Sequence, residues 1–114
     1  MNNNKTTLID LILDASKQAD AYHNTRNLYS VNSAVQAEAG ELSEEVAIEM
    51  GDSYKEAGPD GIPGEAIDTI ISVLDLLYIN NHHISEVDLC IIAKPKLEKW
   101  IAKIKEANAK GLIK

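Results

Sequence analysis

Residues 64–80 read GEAIDTIISVLDLLYIN, and the fold turns on how this stretch is read. Ile67, Ile70, Ile71, Val73, Leu74, Leu76, Leu77 and Ile79 surround most of a helical axis instead of alternating at a period of two. The pattern predicts a central helix over about residues 65–80. Ser72 and Asp75 interrupt the apolar run, which is also too short to span a bilayer. Asp68 stands at its mouth, and a carboxylate entering a helical core costs free energy unless something compensates its charge.

Immediately upstream, GDSYKEAGPDGIPG (51–64) carries four glycines and two prolines and predicts the longest loop of the chain. Before it, a stretch rich in Ala, Glu, Leu and Val predicts a helix over about 31–50, opened by Ser30. Leu8, Leu11, Ile12, Ala15, Ala19 and Tyr22 recur at three and four residues, the stripe of an amphipathic helix that Thr6 or Thr7 can cap. HNTRNLYS (23–30) reads as the connection between these two helices, and residues 1–5 as a polar tail. Downstream, NNHHIS (80–85) ends the central helix, and Ser85 caps a fourth that carries Glu86 and Asp88 in its first turns. Pro95 is expected to kink or split that helix. No segment alternates as a strand would. The expectation is one all-α domain over 1–114, a four-helix bundle-like fold.

The chain has 114 residues, 45% hydrophobic and 25% charged, a globular rather than a disordered composition. Its 18 acidic side chains against 11 basic give a net charge of −7. That balance argues against a nucleic-acid polymer as partner, which needs a basic footprint, and suits a protein that gathers cations. The single cysteine, Cys90, permits neither an intrachain disulfide nor a cysteine zinc site. Its apolar setting, VDLCIIA, predicts a buried, inert thiol. The start lacks the basic and apolar regions of a signal peptide. The expected location is cytoplasmic, with no membrane segment.

Residues three or four apart share a helix face. Glu38, Glu41 and Glu45 line one stripe of the second helix, and Glu65, Asp68, Ser72 and Asp75 one stripe of the third. If the two helices pack antiparallel, two carboxylate pairs face each other, and protonation, basic partners or divalent cations must relieve the repulsion. Oxygen ligands suit Mg²⁺, with Mn²⁺ as a substitute. A di-iron bundle is disfavoured, because it wants Glu-x-x-His on two helices. Taken alone, Glu38, Glu41 and Glu45 are accounted for by a solvated acidic face. Glu65, in a first helical turn, is accounted for by the helix dipole. Asp68 resists such an account, and Asp75 reads as a supporting group or a buried polar residue bonded to a neighbour.

The pair Glu38-x-x-Glu41, then 23 residues (42–64), then Glu65-x-x-Asp68 resembles the signature of the MazG-like all-α nucleoside triphosphate pyrophosphohydrolases. The flanks AEAGELSEE and GEAIDTIISVLDLLY are similar to that family's two motifs, and the resemblance covers roughly 31–103. It implies Mg²⁺-dependent hydrolysis of (deoxy)nucleoside triphosphates to monophosphate and pyrophosphate, a nucleotide-pool house-cleaning activity. Glu38, Glu41, Glu65 and Asp68 would be metal ligands, and Glu41 would also orient or deprotonate the attacking water. It implies further that Asn80 or Asn81, and Lys94, Lys96 and Lys99, contact substrate. Trp100 stands where similar stretches carry asparagine.

Lys55, in the Gly/Pro loop, is a candidate for closing over the triphosphate. Asn24 and Arg26 can read a base edge or a sugar hydroxyl, and Trp100 is among the few rings able to stack on a base. The apolar third helix and the habit of related proteins predict a homo-oligomer, a tetramer (dimer of dimers) or a dimer. The alternative reading is a non-enzymatic acidic helical module that binds a regulatory partner.

Overall fold

The structure, a computed structural model, describes residues 6–113; the polar tail expected at 1–5 lies outside them. The chain is all-helical: α1 (Leu8–Tyr22), α2 (Leu28–Glu49), α3 (Gly61–Asn80) and α4 (Glu86–Ala109), with no strand among the described residues. None of these helices is long and apolar enough to cross a membrane. The chain divides into two compact units, Met1–His83 and Ile84–Lys114.

Within the first unit, α1 starts where Thr7 accepts a hydrogen bond from the Asp10 N–H at 3.1 Å. The α2 start lies upstream of the expected Ser30. Asn27 is the N-cap, its side chain accepting the Ser30 N–H at 2.9 Å while Ser30 Oγ accepts the Asn27 N–H at 3.0 Å. This reciprocal pair satisfies two otherwise orphaned donors, so Ser30 completes the cap from inside the helix. At the other end, Gly51 adopts φ +78°. There the Gly51 and Asp52 N–H groups close back on the Ile48 and Ala47 carbonyls, the arrangement that terminates a helix on a left-handed residue.

The expected loop over 51–64 is shorter than its composition suggests, because Gly61, Ile62, Pro63 and Gly64 form the first turn of α3. Proline is tolerated there, since a first-turn N–H has no intrahelical acceptor. Gly64 is required by crowding: a Cβ at this position would stand 2.0 Å from Asp60 Cβ. Glu65 is therefore the fifth residue of α3, past the first turn, and the dipole account of its charge does not hold.

As its composition predicts, α3 packs along α2 and, less extensively, against α1. Ile12, Val31, Leu74 and Tyr78 are the buried apolar residues, with Ser16 and Glu45 the buried polar ones. Ile67, Ile70, Ile71 and Val73 on α3 remain exposed.

The second unit holds α4, capped by Ser85 and Asp88 acting on each other's N–H groups. Pro95 lies inside this helix without dividing it. The missing N–H deprives the Ile91 carbonyl of its partner, and because Ile91 is exposed water can supply it. No residue of α4 is buried. Cys90 is accordingly exposed, not the buried thiol expected from its apolar neighbours.

Candidate metal centre

Two helical turns of α2 face the start of α3. One carboxylate oxygen each from Glu38, Glu65 and Asp68 lie within 4.8 Å of one another. Glu38 and Glu65 are half-buried and Asp68 is exposed. Glu45 bears on Glu65 and Glu38 on Asp68, the pairing of two helices that run antiparallel. Glu41 lies outside the tight trio and is solvent-exposed, yet its charge acts on both Glu38 and Glu65.

The electrostatics are unrelieved. Desolvation raises the Glu38 carboxyl above its usual range, and Glu41, Asp68 and Glu65 raise it further. Desolvation likewise raises Glu65, reinforced by Glu41, Asp68 and Glu45. Glu38 Oε2 and Glu65 Oε2 are buried and accept no hydrogen bond. Buried anionic oxygens without donors are costly, and no basic side chain among the described residues forms an ion pair with Glu38, Glu41, Glu65 or Asp68. A hard divalent cation fits this donor set, being bound by oxygen and supplying the missing charge.

A pH dependence follows. Folding that raises a carboxylate pKa stabilises the protonated form. The contribution is fully present below the ordinary glutamate value of 4.5 and is lost as pH rises through the raised folded values. In chelator, the unfolding temperature of Glu65→Gln should exceed that of the wild type at pH 7, and the difference should shrink toward pH 4.5. Differential scanning fluorimetry over that range checks the sign. Magnesium should close the gap at pH 7 by stabilising the wild type alone.

The remaining residues of interest fall elsewhere. Lys55 pairs with Glu44 at 3.5 Å, where Ser53 also donates to Glu44 at 3.1 Å. Asn24 is exposed in the α1–α2 connection. Asn80 is the last residue of α3, and Asn81 is its C-cap, accepting the His83 N–H. Lys94, Lys96, Lys99 and Trp100 are exposed on α4, in the second unit. Arg26 is committed within the first unit: it donates to Asp75 at 2.5 Å and to the Ser16 carbonyl at 3.1 Å, with Asp20 at 3.6 Å. Asp75 is thus a half-buried polar residue bonded to a neighbour. Its partner had a sequence signal, since Arg26 is the only arginine in the chain.

Glu45 was visible in the sequence only as one more acid on a stripe. It is 7% exposed, and both its oxygens face the Gly58 N–H, at 3.0 and 3.3 Å. Comparison with protein families, with characterised proteins and with solved structures finds no match to the chain.

Proposed function

We propose that the chain is a Mg²⁺-dependent hydrolase of nucleoside triphosphates that releases the monophosphate and pyrophosphate. The observation that supports the reading best is the convergence of Glu38, Glu65 and Asp68 within 4.8 Å, with two of their oxygens buried and unpartnered. The nucleotide as substrate comes from the resemblance of the two acidic motifs and their spacing to the MazG-like family.

On this reading Glu38, Glu65 and Asp68 hold the cation, with Glu41 beside them, and Mn²⁺ can substitute. When bound, such an ion supplies positive charge to phosphoryl oxygens and acidifies water. Glu41, exposed and next to the trio, is the group free to orient a water molecule and accept its proton. The water oxygen bonds to the α-phosphorus, the bridging α–β bond breaks, and pyrophosphate departs with that electron pair. Lys55, in the same unit as the trio, is a cationic group available to the triphosphate.

The apolar residues left exposed on α3 support a homo-oligomer, which sedimentation velocity measures. The proposed setting is the cytoplasm, as a guardian of the nucleotide pool. The direct test is incubation of the protein with each deoxynucleoside triphosphate and Mg²⁺, assaying pyrophosphate against orthophosphate. Pyrophosphate in step with monophosphate is the expected result. Orthophosphate alone would reject the reaction, and neither turnover nor cation binding would favour the acidic partner-binding module.

A further inference from the structure

The proposed centre needs α2 and α3 in fixed register, yet α3 begins without a side-chain cap: Asp60 makes no capping hydrogen bond. The start of α3 is held from outside. Glu45, one turn beyond Glu41 on α2 and 7% exposed, accepts the Gly58 N–H with Oε1 at 3.0 Å and Oε2 at 3.3 Å. The Gly58 carbonyl accepts the N–H of Gly61, the first residue of α3, at 3.3 Å. Glu65 follows one turn later. A Cβ on Gly58 would meet Glu45 Oε2 at 3.4 Å, an ordinary van der Waals contact.

A carboxylate buried beside other carboxylates is an expensive way to hold a loop, and a neutral acceptor would avoid the repulsion with Glu65. We propose that Glu45 is a positioning residue of the metal centre. Through Gly58 it sets where α3 begins against α2, and so where Glu65 and Asp68 stand relative to Glu38. The inference rests on the metal reading above. It goes beyond that reading by giving a role to a residue outside the ligand set.

Two substitutions separate reach from charge. Glu45→Asp keeps the charge but draws the carboxylate back by about 1.5 Å, one carbon–carbon bond, out of range of Gly58. Glu45→Gln keeps the reach and an acceptor oxygen but removes the charge. Calorimetric titration of each full chain with Mn²⁺ alone is the primary measurement, with amide exchange at Gly58 as the second. Supporting groups behind metal ligands cost about 10- to 100-fold in affinity when lost, so Glu45→Asp should weaken Mn²⁺ by about tenfold or more. Its Gly58 amide should exchange faster. Glu45→Gln should stay within about threefold of wild type in affinity and keep its Gly58 protection.

The reverse ranking would assign Glu45 an electrostatic role and overturn the proposal. So would equal losses of affinity in both variants, accompanied by equally lowered unfolding temperatures in chelator, which is the mark of a merely structural residue. Wild-type affinity in Glu45→Asp would overturn it alone and leave the metal reading intact. Failure of the wild type to bind Mn²⁺ would overturn both.

Discussion

Asp68→Asn and Glu38→Gln should each lower pyrophosphate release by about 100-fold or more, the scale on which one preorganised charge-stabilising group acts in other active sites. Both should also weaken Mn²⁺ binding, because each removes one of the three carboxylates that converge within 4.8 Å. Neither should unfold the protein. Glu38 and Glu65 carry carboxyls raised by burial and by their neighbours, so neutralising one acid relieves repulsion in the metal-free state. An unfolding temperature in chelator equal to or above that of the wild type is therefore part of the expected result. Glu41→Gln should behave differently. Glu41 is exposed and outside the tight trio, so Mn²⁺ binding should largely survive while turnover falls. Full activity in Asp68→Asn would remove the centre from the mechanism. Loss of metal binding in Glu41→Gln as severe as in Asp68→Asn would make Glu41 a ligand before a base.

The sequence carried the helices because their signals are local. The three- and four-residue spacing from Leu8 to Tyr22 and the Thr7 cap define α1, and Ser85 followed by Asp88 defines the start of α4. Asn27 was hidden among the polar residues of 23–30, where any of several side chains can cap. Gly61 to Gly64 read as loop because glycine and proline disfavour helix interiors, whereas a first turn accepts both. Pro95 is the opposite case: its local cost is real, but the good helix formers on both sides carry the helix through.

The acidic trio was legible for the same reason as the helices. A three-residue spacing puts Glu38 with Glu41, and Glu65 with Asp68, on one face of each helix; that the two faces meet depends on how the helices pack. The contacts that hold the arrangement were not legible. Glu45 with Gly58 spans 13 residues and Arg26 with Asp75 spans 49. Both depend on where a connection returns to a helix, which side-chain periodicity does not encode.

The larger stability effect is expected away from the carboxylates, at Arg26. One guanidinium ties the α1–α2 connection to three places: Asp75 on α3 at 2.5 Å, the Ser16 carbonyl at 3.1 Å and Asp20 at 3.6 Å, both on α1. The Arg26 and Asp75 side chains are 14% and 19% exposed. Removing one member of a buried ion pair strands the other and costs about 3–5 kcal/mol. Here the cost should fall below that range, at about 2–3 kcal/mol, because the pair borders a cavity of about 210 Å³ where water can reach the orphaned carboxylate. Arg26→Met should therefore lower the unfolding temperature by about 10 °C, on the scale for a small domain. Arg26→Met combined with Asp75→Leu should recover much of that loss, since no charge is left without a partner. Asp75 lies seven residues beyond Asp68 on α3, about 10 Å along the helix axis. Mn²⁺ affinity, measured well below the unfolding temperature, should thus stay close to wild type in both variants. A double variant as unstable as Arg26→Met would locate the loss in the Ser16 and Asp20 contacts on α1. A loss below about 1 kcal/mol, the range of solvated pairs, would mean that water already screens the pair.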